Sequence, residues 1–473
     1  MDSIRWEDLM AQGKIGLLPL YIKLYDDVHQ ESRPMMDAFY DTIASAFTKR
    51  GIQVVIAPVC RVSEEFASAV KSFEESDVDA IVTLHLAYSP SLESARILAT
   101  TKLPILVLDT TPSWSYGPTQ DPEALMYNHG IHGVQDMCSL LVRNSKPFLI
   151  EAGHWERSNV LDRIIGHLPA ARAALMMKQG RVGLLGNPFP GMGDFYVSAE
   201  RLESTIGACV TPLTQNVLEE NLSAITPEDI EKEIAHDLQL FKQIDLDQSA
   251  HRRSVWLGLA LRRWMKNEDL SAFTFNFQDM EKRLGYPTVP FLEASKAMAR
   301  GVGYAGEGDV LTAMLVAAMA CMHPDVSFTE MFCPDWENNS IFLSHMGELN
   351  WALSDVKASI RTMADYTYSA TDVPAFLTGR FKPGNIALIN LTPAGESGYR
   401  MIIIPASMLP IDGEDRMEAS IHGWFKPSLP IADFLTSYSN YGGTHHLALV
   451  YDPSLGTLKN FATLMGWETI VIE

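Results

Sequence analysis

The first third of the chain alternates short apolar runs with longer amphipathic segments. The apolar runs have the length and composition of strands buried on both faces: KIGLLPLYI (14–22), IQVVIAPV (52–59), DAIVTLHLAY (79–88) and LPILVLDTT (103–111). The segments between them have helical spacing of apolar positions: MMDAFYDTIASAFTKRG (35–51), SEEFASAVKSFEES (63–76) and SLESARILATT (91–101). This alternation, with its short connections, predicts a parallel sheet covered by helices on both faces.

The carboxyl ends of these predicted strands are the expected place for ligand-binding groups, because such sheets bind ligands at that edge. His85 lies near the end of the third run, and the segment YNHGIHG (127–133) follows the fourth. Both are therefore expected at the functional edge of the first sheet.

A second α/β segment begins at RVGLLGNPFPGMGD (181–194), where an apolar run leads into a glycine-rich loop. It continues through two predicted helices, TPEDIEKEIAHDLQLFKQID (226–245) and SVWLGLALRRWMKN (254–267). After Met322 the pattern changes to short β-like runs between glycine and proline turns: NIALINLT (385–392), YRMIIIPASML (399–409), HHLALVYD (445–452) and ETIVIE (468–473). These runs predict a β-rich, barrel-like domain.

The fold class predicted from these patterns is α/β, with two doubly wound parallel-sheet domains followed by a β-rich, barrel-like C-terminal domain. The predicted boundaries are 1–175 for a flavodoxin-like domain, 176–325 for a central α/β domain and 326–473 for the C-terminal domain. A chain of 473 residues is long enough for several cores of this kind.

Composition narrows the class of ligand. The formal net charge of −21 disfavours nucleic acid and anionic membranes as partners and favours a small neutral polyol, or a substrate held through a cation. Five scattered cysteines without a CxxC pair predict reduced thiols in a cytoplasmic protein. No secretory signal is expected in MDSIRWEDLM at the N-terminus. The longest apolar stretch, VLTAMLVAAMACM (310–322), is too short to span a bilayer and predicts a buried helix.

One glycine motif has to be weighed against its context. GVGYAG (301–306) matches GxGxxG, but a dinucleotide fingerprint needs a strand before the glycines and a helix opening within them. The segment before it, FLEASKAMARG (291–301), has a helical pattern. In this context the motif disfavours dinucleotide binding.

Carboxylates and imidazoles in the last third suggest a metal site. Glu307 lies between two glycines, which permit close approach of the backbone, and Asp309 fits the N-cap of the helix that follows. Glu330 in VSFTEMF, His345 in IFLSHMGELN and the histidine pair of GGTHH complete the candidates. Without thiolates, such a set favours Mn²⁺, Co²⁺ or Mg²⁺ over a structural zinc ion.

The pattern alone leaves simpler interpretations open. Glu307 could be an ordinary turn residue, and His345, beside apolar residues, could be a hydrogen-bonded core histidine. His445 and His446 begin the run HHLALVYD, and successive side chains of an extended strand point to opposite faces. One of the two is therefore expected to be a ligand or catalytic group, and the other a supporting or packing residue.

The ordered segments GYAGEGDVLTAML (303–315), SFTE (327–330), SHMGE (344–348) and YGGTHH (441–446) resemble the L-arabinose isomerase family, with L-fucose isomerase as a more distant relative. Further segments resemble the family in the same order: VTLHLAYSP (82–90), YNHGIHG (127–133), EAGHWER (151–157), AFTFNFQD (272–279) and LKNFATLMGWETIVIE (458–473). The resemblance is thus spread along the chain, and it identifies a divergent member of the superfamily.

The resemblance implies a metal-dependent aldose–ketose isomerase of three domains, assembled as a homo-oligomer (trimer or hexamer) with shared active sites. It implies that Glu307, Glu330, His345 and His446 bind the metal, with Mn²⁺ as the expected ion and Co²⁺ or Mg²⁺ as alternatives. The two glutamates would also be the catalytic acid–base pair. The positions implied to contact substrate are His132, His129, Met192, Phe277 and His445.

Departures from the family pattern leave the sugar open. LLPLYIKLYDD (17–27) lacks the glutamine and histidine found after the first strand in the family, and His129 stands where a glutamine is expected. L-Arabinose, D-galactose, L-fucose or another sugar remain possible substrates. Proton transfer through an enediol and a hydride shift would both use the same ligands. A sugar-binding or regulatory protein without turnover, and a metal-dependent epimerase or aldolase, remain as alternative functions.

Overall fold

The computed structural model describes residues 13–473, which form two compact units. One unit comprises the described chain up to Leu175 together with Leu455–Gly466, and the other comprises Met176–Ser454 together with Trp467–Glu473. MDSIRWEDLM, for which no secretory signal is expected, lies outside the described residues. The three-domain division at residues 175 and 325 stays a prediction.

The first unit is built on a parallel sheet of five strands. The strands are β1 (Lys14–Leu20), β2 (Gln53–Ile56), β3 (Ala80–His85), β4 (Ile105–Asp109) and β5 (Phe148–Ala152). Their spatial order, β2-β1-β3-β4-β5, is the flavodoxin-like order. All six residues of the central strand β3 are buried, which is the reason its sequence is mostly apolar on both faces rather than alternating.

The helices of this unit include the three predicted from amphipathic segments, at 33–48, 63–75 and 91–100. They are α1 (Lys23–Val28), α2 (Arg33–Thr48), α3 (Ser63–Glu75), α4 (Ser91–Thr100), α5 (Ile131–Arg143), α6 (Val160–Gly166), α7 (Leu168–Gln179) and, from the C-terminal part of the chain, Leu455–Met465. Two 3₁₀ turns, Gln30–Ser32 and Pro122–Tyr127, lie in the connections. The core forms between sheet and helices around Phe66, Phe73 and Leu98.

The second unit contains the remaining elements. Its helices are α8 (Ala199–Thr205), α9 (Gln215–Ser223), α10 (Pro227–Leu240), α11 (Gln248–Asn267), α12 (Phe291–Met298), α13 (Val310–Met322) and α14 (Ile431–Asn440). Its strands are β6 (Arg181–Leu185), β7 (Cys209–Pro212), β8 (Lys242–Gln243), β9 (Ala272–Phe275), β10 (Gly303–Gly306), β11 (Val326–Asp335), β12 (Ser340–Ser344), β13 (Ser359–Thr362), β14 (Ala375–Arg380), β15 (Gly384–Ala394), β16 (Gly398–Met408), β17 (Ile421–Pro427), β18 (His446–Tyr451) and β19 (Glu468–Val471). The 3₁₀ turns are Phe277–Asp279, Lys282–Leu284 and Trp351–Leu353.

Two sheets organise these strands. One is a parallel sheet in the order β10-β9-β6-β7, and the other contains ten strands. Within the larger sheet, antiparallel pairing runs from β16 through β15, β18, β11, β12 and β17, and β17 pairs again with β16, so six strands close a barrel. The predicted fold class, two α/β parallel sheets followed by a barrel-like β-rich part, is confirmed.

Helix α13 is apolar all round because it is covered on several sides. It contacts the parallel strands β6, β9 and β10 and the barrel strands β11, β15 and β18. A helix with one exposed face would alternate polar and apolar positions instead. The buried helix predicted from VLTAMLVAAMACM is therefore confirmed, and no helix among residues 13–473 combines the length and apolarity needed to cross a bilayer.

Two local predictions are refined by the structure. The predicted helix 226–245 starts with a capping box between Thr226 and Asp229 but ends at Leu240, because residues 242–243 pair with β13 as strand β8. The glycines of GVGYAG follow α12 and run into β10. A glycine loop that enters a strand lacks the strand–loop–helix order of a dinucleotide site.

Candidate metal centre

Four chain segments of the second unit bring the predicted metal ligands together. Glu307 directly follows β10, Glu330 lies on β11, His345 follows β12, and His446 begins β18. In the antiparallel ladder Glu330 is the register partner of His446, and side chains directly opposite each other share one face. Residues more than 100 positions apart in sequence are thereby placed side by side.

The side chains of Glu307, Glu330, His445 and His446 each offer a ligand atom within 4.8 Å of the others. His446 Nε2 lies 2.9 Å from Glu330 Oε1 and 3.5 Å from Glu307 Oε2. Yet His446 Nε2 and Glu307 Oε2, both buried, have no hydrogen-bond partner within the described chain. Buried polar atoms normally have one, so ligand atoms that lie this close together without a hydrogen bond suit a shared cation.

His345 approaches this group from one side. Its Nε2 lies 3.1 Å from Glu330 Oε1, and its ring centre is 6.5 Å from that of His446. It is not one of the four residues whose ligand atoms all lie within 4.8 Å. The structure thus brings His345 to Glu330, whereas His445 lies closer to Glu307.

Buried carboxylates orient both predicted histidine ligands. His446 Nδ1 donates to Asp309 Oδ2 at 2.8 Å, and His345 Nδ1 donates to Glu348 Oε2 at 2.6 Å. Glu348 is fixed in turn by Tyr304, whose hydroxyl donates to Oε1 at 2.6 Å. A carboxylate on Nδ1 selects the tautomer that leaves Nε2 available as a ligand, which is the usual arrangement behind metal-bound histidines.

His445 precedes strand β18, so strand alternation does not direct its side chain. Its Nδ1 donates to Asp194 Oδ2 at 2.6 Å, and its Nε2 lies 3.7 Å from Glu307 Oε2. The rings of His445 and His446 are 4.4 Å apart. Both histidines therefore approach Glu307, although an uninterrupted strand would send them to opposite faces.

The carboxylates and imidazoles of the centre form buried ion pairs with one another. Burial would raise the pKa of Glu307, but interaction with His445 and His446 lowers it to about 2. Burial lowers the pKa of His345, but the carboxylates of Glu348 and Glu330 raise it to about 10. The pKa of His446 is also raised, because Asp309 and both glutamates outweigh burial. A bound divalent ion would replace the imidazole protons.

The backbone at Glu307 has a left-handed conformation with φ of 62°. Such a conformation is uncommon outside glycine and is found at functional sites that the surrounding structure holds in place. A Cβ at Gly306 would lie 2.9 Å from His345 Cε1, and a Cβ at Gly308 would lie 2.6 Å from Pro188 Cα. The flanking glycines therefore let His345 and the loop of Pro188 pack directly against the Glu307 segment.

Two predicted substrate contacts lie in loops of the same unit. Met192 belongs to the loop after β6, in which the Phe189 backbone N–H donates to the Glu307 carbonyl at 2.9 Å. Phe277 lies in the 3₁₀ turn after β9, with its ring centre 5.7 Å from that of Phe189. Met192 therefore belongs to a loop that contacts the Glu307 segment, and Phe277 belongs to a turn that packs against this loop.

The predicted contacts of the first unit form their own cluster at the start of α5. His129 Nε2 lies 3.0 Å from the Tyr25 hydroxyl oxygen, and the rings of His129 and His132 are 5.8 Å apart. His85 ends β3, as the sequence predicts, but is buried with neither ring nitrogen hydrogen-bonded within residues 13–473. A Cβ at Gly133 would lie 2.3 Å from the His85 ring, so this glycine makes room for it.

Several residues that contact the candidate ligands were not predicted from the sequence. Glu348 follows His345 by three residues within SHMGE, a spacing that could have revealed it. Asp309 was predicted only as a helix cap, and it also holds His446. Asp194 lies 251 residues from its partner His445, and Phe195 stacks on His446 with ring centres 4.7 Å apart. No local sequence pattern predicts contacts between residues this far apart in the chain.

A second cluster of Glu233, His236 and Asp237 also has ligand atoms close enough for a metal ion. Its negative charge is compensated by two cations, because the Lys296 ammonium group contacts both carboxylates and the Arg262 guanidinium also contacts Glu233. His251 Nε2 is a further partner of Asp237, at 2.9 Å. These contacts describe a buried ion-pair network rather than a metal site.

Two family models match most of the second unit. The model described as L-arabinose isomerase central domain matches residues 197–325, and the L-arabinose isomerase C-terminal domain matches residues 325–468. Together these matches span more than half of the 473 residues. The four residues whose ligand atoms lie within 4.8 Å of one another also fall within these matches: Glu307, Glu330, His445 and His446.

Three L-arabinose isomerases are similar to this chain over nearly its whole length. The L-arabinose isomerase of Shouchella clausii is 24% identical over 97% of this chain and 93% of its own. The L-arabinose isomerase of a Thermotoga species (strain RQ2) is 23% identical over 97% and 93%. L-arabinose isomerase 2 of Bacillus licheniformis is 24% identical over 94% and 95%. The similarity therefore extends over nearly the full length of both partners.

Proposed function

Because the chain belongs to the L-arabinose isomerase family, and is thereby a sugar isomerase that interconverts aldoses and ketoses, we propose that it works with a divalent metal ion. The proposed ligands are Glu307, Glu330, His345 and His446. Glu307 and Glu330 are also the proposed acid–base pair.

The observation that supports this proposal is the close approach of buried ligand atoms that make no hydrogen bond within the described chain. Glu307 Oε2 and His446 Nε2 are buried without hydrogen-bond partners in the described chain, although both lie within 4 Å of oppositely charged groups. Leaving such atoms unsatisfied costs free energy, and a cation among them would offset that cost. Oxygen and imidazole ligands without thiolate fit Mn²⁺ best, with Co²⁺ or Mg²⁺ as alternatives.

The reaction moves a carbonyl group between C1 and C2 of an open-chain sugar. When bound, the divalent ion supplies Lewis-acid stabilisation of the negative charge that develops on the two substrate oxygens. We assign to one of the two glutamates the transfer of a proton between C2 and C1, and to the other the proton of the hydroxyl group. Glu307 suits one of these roles because its Oε2 makes no hydrogen bond within the described chain and can therefore accept a proton.

The proposed substrate contacts are His132, His129, Met192, Phe277 and His445. His445 is the best supported of these, because 36% of its side chain is exposed beside Glu307, whereas His446 is fully buried. A partly exposed imidazole can bond a sugar hydroxyl without giving up a place in the core.

The test is a screen of free aldoses with Mn²⁺, in which NMR identifies the products. A ketose with the same configuration beyond C2 supports the proposal, whereas a C2 epimer or a cleaved product would show a different reaction. Chelation should abolish turnover, and Mn²⁺ or Co²⁺ should restore it. Full activity in a metal-stripped sample contradicts the metal dependence.

Assembly and location form a separate part of the proposal. From the family we propose a homo-oligomer, a trimer or hexamer, which sedimentation analysis of the purified chain would resolve. From the five scattered cysteines, which form no CxxC pair in the sequence, we propose the cytoplasm, because disulfides are rare in a reducing compartment. A monomer in solution would contradict the first of these statements.

A further inference from the structure

We propose that Asp194 is a positioning residue for the isomerase reaction, which holds the His445 imidazole so that its Nε2 is presented beside Glu307. The inference rests on the proposed function, since it concerns the substrate-facing group of that same site. It goes beyond that function by assigning a role to a residue from a distant loop of the second unit.

Two hydrogen bonds carry this assignment. Asp194 Oδ2 accepts from the His445 backbone N–H at 3.0 Å and from its Nδ1 at 2.6 Å. Because an ionised carboxylate can only accept, the hydrogen of this bond lies on Nδ1. The bond to Nδ1 orients the ring, and the backbone bond to the same oxygen atom holds the carboxylate beside it. The opposite ring nitrogen, Nε2, lies 3.7 Å from Glu307 Oε2.

The loop that carries Asp194 is itself anchored to the candidate metal centre. At its start, the Asn187 backbone N–H and side-chain amide both donate to Asp279 Oδ2, at 2.7 and 2.9 Å. In its middle, the Phe189 N–H donates to the Glu307 carbonyl at 2.9 Å. Immediately after Asp194, Phe195 is buried and stacks on His446. Anchors on both sides therefore limit how far Asp194 can move.

The position of His445 explains why it needs such a partner. His446 and His345 are buried and held by Asp309 and Glu348, whereas His445 is about one-third exposed. An exposed imidazole samples several rotamers unless a hydrogen bond selects one, and a misplaced polar contact lowers the rate of reaction. Asp194 supplies that bond on the side away from Glu307.

A simpler role for Asp194 would be to pin its own loop. In that case its removal would harm the enzyme whether or not His445 is present. If Asp194 acts through His445, the two losses are not independent, and removing Asp194 from a chain that already lacks His445 costs little more. A double-mutant cycle separates these cases.

The experiment compares Asp194→Ala, Asp194→Asn, His445→Ala and the double variant Asp194→Ala/His445→Ala. Glu200→Ala is the matched control, since it removes a fully exposed carboxylate six residues further along the chain. We expect Asp194→Ala to lower kcat/KM by about 10-fold to 100-fold without loss of bound Mn²⁺. Asp194→Asn should recover most of the loss, because its amide oxygen can accept both hydrogen bonds. The double variant should match His445→Ala within about twofold.

Multiplicative losses in the double variant, or equal losses in the Ala and Asn variants, would overturn the proposal. A crystal structure of Asp194→Ala gives a readout that does not depend on turnover. The His445 ring should leave its place beside Glu307, and an unmoved ring would also overturn the proposal. If the wild-type chain converts no aldose, the proposed function fails, while the position of the ring still decides whether Asp194 orients His445.

Discussion

His446 donates a hydrogen bond from Nδ1 to Asp309 Oδ2 at 2.8 Å, and both side chains are fully buried. The other carboxylate oxygen of Asp309 accepts from the Thr312 backbone N–H at 2.8 Å and caps helix α13. One residue therefore joins the start of a buried helix to the orientation of a candidate metal ligand. Each of its two oxygens has a separate task.

Asp309→Asn should separate these two tasks. Asparagine caps helices as well as aspartate does, so we expect thermal stability to change little. If the amide oxygen keeps the cap, the amide N–H groups face His446 Nδ1, which must then accept a hydrogen bond. The hydrogen moves to Nε2, and Mn²⁺ affinity should fall about 10-fold to 100-fold in a titration of the stripped protein.

The matched control for that variant is Asp247→Asn. Asp247 also caps a helix of the second unit, by accepting from the Ala250 backbone N–H, but it bonds no histidine of the centre. Its substitution should leave Mn²⁺ affinity unchanged. Equal affinities in all three proteins would show that Asp309 does not orient a metal ligand.

The paired histidines should respond differently to truncation. His446→Ala should lose bound metal, because it removes a fully buried imidazole opposite Glu330 in the barrel. His445→Ala should keep the metal and lose mainly substrate affinity or rate, because its side chain is partly exposed and tied to Asp194. Elemental analysis of both purified variants checks this, and the reverse pattern would exchange the proposed roles.

Metal affinity should rise with pH. A ligating imidazole must be neutral, yet in the metal-free centre the pKa of His345 is raised to about 10 by Glu348 and Glu330, against the effect of burial. Binding below that pH therefore releases protons, and affinity should increase by roughly tenfold per pH unit for each proton released. Mn²⁺ titrations between pH 6 and 9 measure the slope, which should be shallower in His345→Gln.

The buried network around Lys296 should control acid stability. Burial would raise the pKa of Glu233, but Arg262 and Lys296 lower it to about 2. A carboxylate with a lowered pKa stabilises the fold above its unfolded value of 4.5, and that contribution is lost as pH falls through about 2. Glu233→Gln should therefore lower the free energy of unfolding at pH 7 by about 3 kcal/mol and reduce its pH dependence between 4.5 and 2.

Glu231→Gln is the control on the same helix. Glu231 pairs with Arg252 at the surface, where an ion pair contributes at most about 1 kcal/mol. Urea unfolding at pH 7 and at acid pH compares the variants. If Glu233→Gln is no less stable than Glu231→Gln, the buried pairs do not stabilise the fold.

The fold class could be predicted from the sequence because burial determines which residues a segment can contain. A strand buried on both faces, such as β3, is mostly apolar, although it also buries Thr83 and His85. A helix enclosed on several sides, such as α13, has no polar stripe. These constraints act within a few residues, so a local pattern is enough to reveal them. The N-cap at Asp309 was predictable for the same reason.

Parts of the site could be predicted only as residue types. The order of carboxylates and imidazoles, together with the family resemblance, indicated Glu307, Glu330 and His446. Their mutual distances were not contained in that pattern, because register pairing in the barrel places Glu330 opposite His446. The approach of His445 to Glu307 depends on where strand β18 begins.

What only the tertiary structure decided are the contacts between residues far apart in the chain. Asp194 meets His445 across 251 positions, and Asp309 meets His446 across 137. The ending of α10 at Leu240 likewise follows from the pairing of β8 with β13. Such contacts form because sheet closure and core packing bring separate segments together, and the free energy that selects them is shared among many residues rather than encoded beside the two that meet.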